Sequence, residues 1–345
     1  MKNITPLASL FALLGLSASH CAQEGTPMTP VRGSHLSKSG YDLTPLTPQQ
    51  VKELSKGLDP LALQVTTCSA TECAGTSPLV NEHRKGVFVC AIGGLPLFRS
   101  EDKYDSGSGW PSFTRPFDPD HVVMHADDSL GMRRVEVVDA RSGAHLGHVF
   151  DDGPAPTGKR FCINGAALKF IPDGESLPPE SRPAVTESAY FAGGCFWGVE
   201  DVFQQIPGVL DAVSGFMGGA LEKPSYKAVC DGDTGHAETV QVVFDPKKVS
   251  YGELLKVFFA NHDATTPNRQ GPDFGEQYRS AIFASTPAQL ETAQKFVAEL
   301  QKSPRYEKRK IVTQLVAPGP RFWPAEDYHQ DYHLKHGGSC RVKSE

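Results

Sequence analysis

The stretch Ala192–Phe203, AGGCFWGVEDVF, sets one thiol behind two glycines and ahead of Phe-Trp-Gly. SAYFAGG before it reads as a strand entering a turn, and GVEDVFQQI after it has helical spacing. Cys195 therefore falls at a strand-to-helix junction. The unpaired N–H groups of a first helical turn and the positive end of the helix dipole favour negative charge there. Both stabilise a thiolate, the nucleophilic form of cysteine. Gly193 and Gly194 permit a tight turn and leave clearance for a substrate, and Phe196 and Trp197 can wall an apolar pocket. Read locally, the same residues equally suit a buried structural cysteine beside packed aromatics. Phosphate binding by the glycines is not indicated, since neither GxxxxGKS nor GxxxxGKT occurs.

The elements that position this thiol belong to a chain of 345 residues, long enough for two domains. Its formal charge of −6, with no basic stripe, argues against nucleic-acid or anionic-membrane binding. No internal apolar run is long enough to span a bilayer. Residues 1–21, MKNITPLASLFALLGLSASHC, read as a signal peptide: Lys2, an apolar run from Leu7 to Leu16, then small residues from Ser17 to Ser19. That signal implies the periplasm or cell envelope; without it the chain would be cytoplasmic. Lipidation of Cys21, disfavoured by the preceding His20, would be its only route to a membrane. Export makes structural disulfides the default. Yet the remaining cysteines, 68, 73, 90, 162, 195, 230 and 340, are odd in number, so at least one is free or pairs transiently.

Residues 22–40 are polar and rich in Gly, Pro, Ser and Thr, and read as a disordered linker. A proline-rich break at Ile171–Ser188 places a second linker at 173–187. The block at 41–172 opens with a helix capped by Thr47, with Pro48 at its first position. Its other segments, KGVFVCAIGG, HVVMHAD, RRVEVVDA and GHVFDD, read as strands, giving a mainly β domain of two antiparallel sheets. The block at 188–345 mixes types. ETVQVVFDP, RSAIFAS and KIVTQLVAP read as strands, and YGELLKVFFANH as a helix. TPAQLETAQKFVAELQKS is the clearest helix, capped by Thr286, with Leu290, Ala293, Phe296, Val297 and Leu300 on one face. The expected fold is α+β, a mixed sheet flanked by helices with a ferredoxin-like core.

GGCFWG, YKAVCDGDTGHAETVQVVFDP, NRQGPDFGEQYRSAIF and AEDYHQDYHLKHGGSC resemble, in order, successive segments of peptide methionine sulfoxide reductase A. The resemblance implies that Cys195 is the nucleophile attacking the sulfoxide sulfur and that Glu238 protonates the sulfoxide oxygen. It implies that Tyr226 and Tyr278 hydrogen-bond that oxygen, that Asp273 lies in the same polar rim, and that Phe196 and Trp197 hold the methyl group. Cys340 is then the resolving cysteine. The chemistry is coherent: a sulfoxide oxygen leaves poorly unless protonated, and a carboxyl held among aromatics can stay protonated. Thiolate attack then leaves a sulfenic acid, which a second thiol condenses with. Cys230, flanked by apolar residues in KAVCDG, reads as a packing residue.

DSGSGWPSF, RVEVVDARSGAHLGHVFDDGP and GKRFCINGAALKF resemble methionine sulfoxide reductase B over about residues 42–172. That family, unrelated in fold to the first, handles the opposite sulfoxide epimer. The resemblance makes Cys162 the nucleophile and places His145, His148, Asp152, Asn164 and Trp110 in its active site. Arg160, two residues before Cys162, would share its strand face and favour the thiolate. The histidines can protonate or hydrogen-bond the sulfoxide oxygen, and Trp110 can pack on the methyl. Many relatives hold a structural zinc with two CxxC pairs. Here Cys90 is followed by Gly93 at the second thiol's position, and no CxxC occurs, so no metal is expected and Cys90 reads as core. Some relatives carry a cysteine where this chain has Ser108. The candidates for the second thiol are Cys73, which is favoured, and Cys68, both read as lying in an exposed polar loop.

The expected protein is thus a monomeric two-headed reductase of methionine sulfoxide, free or in proteins. It needs no cofactor beyond an external thiol reductant such as a thioredoxin-like protein. Two other readings make different predictions. An exported binding module would lock its cysteines in stable disulfides. A thiol acyl-transferase or protease would need a histidine base beside Cys195.

Overall fold

The computed structural model describes residues 33–338. The expected signal at 1–21 with Cys21, the linker residues 22–32, and Cys340 lie outside the described residues.

The first domain opens with α1 (Pro48–Ser55), closed by a capping box: Thr47 accepts from the Gln50 N–H, and Gln50 accepts from the Thr47 N–H. A second helix follows, α2 (Pro60–Cys68), which was not expected. Asp59 caps it by accepting from the Leu61 and Ala62 N–H groups, Pro60 sits at its start, and Ala62, Val65 and Thr66 turn inward. Cys68 therefore ends a helix rather than lying in a loop, though it and Cys73 are both exposed.

The strands are β1 (Gly86–Cys90), β2 (Pro96–Arg99), β3 (Lys103–Tyr104), β4 (Ser112–Phe113), β5 (Val122–Asp127), β6 (Arg134–Asp139), β7 (His145–Phe150), β8 (Arg160–Ile163) and β9 (Leu168–Pro172). They pair antiparallel in two sheets, ordered β2-β1-β9 and β3-β4-β8-β7-β6-β5. The sheets share a core that includes Phe88, Phe98, Phe113 and Phe161, with Phe98 and Phe113 stacked at 4.3 Å. Directly opposed residues of antiparallel strands share a face. Tyr104, Ser112, Cys162, His148, Glu136 and His125 therefore form one polar row across the larger sheet.

The expectation of disorder fails for residues 33–40. Ser37 is buried, Leu36 bridges Asp42, and the Ser39 N–H and hydroxyl donate to Asp118 at 2.9 and 2.5 Å. Their small polar side chains read as a flexible linker, but these hydroxyls and amides satisfy a buried carboxylate. This arm also reaches the second domain: the His35 N–H donates to Leu210 O at 2.6 Å, and Lys248 pairs with Asp42 at 2.6 Å. The segment 173–187 also packs down, with Ser181 buried and its hydroxyl on Gly94 O at 2.6 Å.

The second domain runs β10 (Glu187–Gly193), α3 (Phe196–Gln204), β11 (Val209–Met217), α4 (Tyr226–Asp231), β12 (Ala237–Phe244) and α5 (Tyr251–Ala260). It continues β13 (Arg269–Gln270), β14 (Asp273–Phe274), β15 (Ser280–Phe283), α6 (Pro287–Gln301), β16 (Gln314–Val316), β17 (Trp323–Pro324) and α7 (Tyr332–His336). The main sheet is ordered β16-β15-β10-β12-β11-β17, and within it only the β15–β16 pair is parallel. Its core gathers Phe191, Phe203, Phe216, Phe244, Leu254 and Phe258. At the end of β10, Gly194 takes φ +101°, and a Cβ there would stand 2.5 Å from Gln270 Cγ. Only glycine fits that turn, which delivers Cys195 to the start of α3.

Candidate active sites

Cys195 is the N-cap residue of α3, as the sequence implied. The first N–H of the helix, that of Phe196, does not face open space: it donates to Glu238 Oε2 at 2.9 Å. Glu238 lies on β12 opposite Phe216 and is 1% exposed. Burial pushes its carboxyl up to about 8, helped by the negative charge of Asp273 and opposed by the Phe196 N–H. It is therefore largely protonated at neutral pH, as a proton donor must be.

Tyr226 opens α4, and Tyr278 ends a short turn before β15. Burial raises both phenols; contact with Cys230 adds to the rise for Tyr226, and Glu238 adds to it for both. Tyr278 also feels Asp273 and Cys195. Both hydroxyls keep their protons and can donate. Asp273 and Cys195 line one crevice, together with Val199, Val202 and Gln270. The fold thus gathers Cys195, Glu238, Tyr226, Tyr278 and Asp273 from five separate segments.

The two aromatics differ in role. Phe196 is buried against Phe216, Tyr226 and His329, so it shapes the floor. Trp197 is half-buried, stacks on Tyr332 at 3.7 Å and donates from Nε1 to His329 Nδ1 at 3.2 Å. His329 and Tyr332 went unnoticed in the sequence; their spacing in DYHQDYH gives no sign that both reach Trp197. Cys230 is corrected: it is exposed, not packed. On the short α4 its neighbour Val229 turns inward, leaving Cys230 one turn after Tyr226, with its thiol on that phenol. The nearby His262 is no free base, since its two ring nitrogens meet Phe258 O at 2.7 Å and Ser280 Oγ at 2.8 Å.

In the first domain Cys162 is half-buried on β8, 3.9 Å from Ser108 Oγ. Burial raises its thiol, while Ser108 and Arg160 pull it down. The expected effect of Arg160 is present, but burial outweighs it. Arg160 is held by Asp152 through two bonds of 2.8 and 2.7 Å and lies over the Phe150 ring. Asp152 therefore acts by orienting Arg160. His148, directly opposite Cys162, meets Asp127 Oδ2 at 2.8 Å; His145 meets Glu136 Oε1 at 2.5 Å. These two carboxylates were not foreseen.

Asn164 is buried, with its amide committed: Oδ1 accepts from the Glu72 N–H at 3.0 Å, and Nδ2 donates to Leu146 O at 3.0 Å. It positions rather than faces a ligand. Its partner Glu72 is 3% exposed and accepts from the Gly165 and Ala166 N–H groups at 2.7 and 2.9 Å. The Trp110 Nε1 donates to Glu72 O at 3.1 Å. Cys73, the next residue, is thus tethered beside the segment holding Ser108, which Gly75 also joins by donating to Gly109 O at 2.7 Å. Cys90 is buried and pushed up to about 12, chiefly by burial. Cys68, Cys73, Cys90, Cys162 and Cys230 are free thiols, which removes the ground for a disulfide-locked binding module. Among the described residues no group of three or more His, Cys, Asp or Glu could hold a metal ion.

Residues 187–345 match the family described as peptide methionine sulfoxide reductase, and residues 58–172 match the SelR domain. The peptide methionine sulfoxide reductase MsrA of Methanoculleus marisnigri is 53% identical over 157 residues, covering 45% of this chain and 94% of that protein. The protein of the same name from Rhodospirillum centenum is 47% identical over 188 residues, covering 54% of this chain and 81% of that one. The solved structure of Mxr1 from Saccharomyces cerevisiae in reduced form is 38% identical, covers 48% of this chain and 93% of that chain, and has a TM-score of 0.44.

Proposed function

Because the chain belongs to the peptide methionine sulfoxide reductases, with a SelR domain fused ahead of that unit, we infer that it is an oxidoreductase returning both epimers of methionine sulfoxide to methionine. The observation that carries this reading is the protonated, buried Glu238 bonded to the residue after Cys195. Attack of the Cys195 thiolate on the sulfoxide sulfur, with proton transfer from Glu238 to the oxygen, forms a transient bond between the two sulfurs; the hydroxyl then passes from the substrate sulfur to the Cys195 sulfur as that bond and the S–O bond break. Methionine leaves, and Cys195 keeps the oxygen as a sulfenic acid. Tyr226 and Tyr278 steady the oxygen, and Trp197 over a Phe196 floor grips the methyl. In the first domain Cys162 does the same work on the opposite epimer, with Arg160 favouring its thiolate and His145 and His148 facing the oxygen.

Each sulfenic acid then condenses with a second thiol, losing water. Cys340 serves Cys195. Cys73 serves Cys162 in preference to Cys68, because the Glu72 anchor holds Cys73 beside the Ser108 segment. A thioredoxin-like dithiol returns both disulfides to thiols; no other cofactor is needed. The substrates are free methionine sulfoxide and oxidised proteins, and the chain acts as a monomer. We take the domains as 41–172 and 188–345 joined by 173–187, and the strand order β15-β10-β12-β11 supports a ferredoxin-like core for the second. Residues 1–21 are read as an export signal placing the enzyme outside the cytoplasm.

The test is epimer-resolved. With a dithiol reductant the full chain reduces both epimers. Cys195→Ser abolishes one activity and spares the other, and Cys162→Ser does the reverse. Retention of both activities by either variant would overturn the assignment.

A further inference from the structure

One buried acid that this chemistry leaves unused is Glu200. It lies on α3, the helix that Cys195 caps, and is 1% exposed. Its Oε2 accepts from the Asp331 N–H at 3.0 Å. Asp331 is the residue from which α7 and the chain's last segment depart, and it adopts a left-handed φ of +56°. That conformation is unfavourable for a residue with a Cβ unless its surroundings fix it.

Four bonds from two elements do so. Glu200 holds the N–H, and Gln204, one turn further along α3, donates to Asp331 Oδ1 at 2.8 Å. The preceding Gln330 brackets Ser214 on β11, accepting from its N–H and donating to its C=O, both at 2.9 Å. Burial and the Asp331 charge push Glu200 up to about 8, so its carboxyl is largely uncharged at neutral pH and tolerates its place beside that carboxylate. One helix therefore carries the nucleophile at its start and the clamp on the final segment one to two turns later.

We propose that Glu200 is a positioning residue for the second half of the reaction: it fixes the turn at Asp331, nine residues before Cys340, and through it the rate at which Cys340 condenses with the Cys195 sulfenic acid. It does not touch the sulfoxide. The step it governs joins the Cys340 sulfur to the Cys195 sulfur and releases the hydroxyl as water, with no external oxidant or reductant. This rests on Cys340 being the second thiol.

The experiment uses the full chain in a Cys162→Ser background, so that only the second domain reacts. Reduced protein is mixed rapidly with racemic methionine sulfoxide and no reductant. Methionine release, thiol loss and dimedone-trapped sulfenic acid are followed through one turnover. Glu200→Ala is expected to release methionine within about twofold of the parent rate, while disulfide formation slows about tenfold or more and trapped sulfenic acid accumulates. Glu200→Gln, which keeps an acceptor for the Asp331 N–H, is expected to restore disulfide formation to within about threefold. If Glu200→Ala misfolds, Gln204→Ala loosens the same turn and should show the same split to a lesser degree. Unchanged disulfide formation, or equal slowing of both steps, overturns the proposal. Cys340→Ser separates the underlying assumption: if it still forms the disulfide at the parent rate, the second thiol lies elsewhere, whatever Glu200 does.

Discussion

The Phe196 N–H donates to Glu238 Oε2 at 2.9 Å, tying the proton donor to the residue beside the nucleophile. A helix start thus holds the thiol and the acid in one geometry. The acid form is the active one, and burial keeps it populated up to about pH 8. As pH rises through that value, the donor is lost. The second domain's kcat/KM should fall roughly tenfold per pH unit above about 8. Glu238→Gln should lower the rate by about 10²- to 10⁴-fold and erase that limb. A steady-state pH profile in the Cys162→Ser background decides; persistence of the limb in Glu238→Gln would assign it to another group.

In the first domain the charge next to the nucleophile is Arg160, held by Asp152. Burial raises the Cys162 thiol, and Arg160 partly counters it. Removing the positive charge disfavours the thiolate, so Arg160→Met should shift the pH midpoint of Cys162 alkylation upward. A shift of one unit cuts the thiolate fraction near neutral pH about tenfold. Iodoacetamide kinetics against pH in a Cys195→Ser background test this. An unmoved midpoint would make Arg160 a packing residue over Phe150.

How far these arrangements were legible depends on whether they are local. The turn into Cys195 and the Thr47 and Thr286 caps follow from neighbouring residues, and each is found where the pattern put it. Glu72 and His329 were silent because each acts on a partner far along the chain, and Glu136 and Asp127 because strand pairing, not spacing, brings them to His145 and His148; a single carboxylate or imidazole in sequence reads as surface. β11 was missed because Asp211, Ser214 and Gly215 break its apolar pattern. In the fold Ser214 binds Gln330, and Gly215 leaves room for the Trp323 carbonyl of β17. Cys230 was misplaced because apolar neighbours suggest burial, whereas the face of a short helix decides it.

Metal dependence has a direct test. Cys90 is buried and 3.6 Å from Ser142 Oγ, with Gly93 where a second sulfur would stand. One thiol cannot make the tetrahedral sulfur site of a structural zinc. Prolonged treatment with a strong chelator should leave Tm and both activities unchanged, and elemental analysis should find less than stoichiometric zinc. A fall in Tm of several degrees on chelation would contradict this.

Glu72 joins the stability of the first domain to its second chemical step. Its carboxylate is the acceptor for two N–H groups, those of Gly165 and Ala166, in a site 3% exposed. Glu72→Ala leaves both donors unpaired, at roughly 1–3 kcal/mol for each that water cannot reach. Thermal unfolding should show the first domain weakened and the second unchanged. The backbone of the same residue bonds Asn164 and Trp110, and Cys73 follows it directly. Loosening the anchor should therefore slow Cys73–Cys162 disulfide formation more than it slows methionine release. Single-turnover thiol counting in a Cys195→Ser background, with Cys73→Ser and Cys68→Ser alongside, separates the possibilities. Disulfide formation that survives Cys73→Ser but not Cys68→Ser would move the resolving role to the end of α2. Formation that survives both would point to another cysteine of the chain, whereas turnover with an external thiol but no intramolecular disulfide in the parent would leave direct reduction of the sulfenic acid as the route.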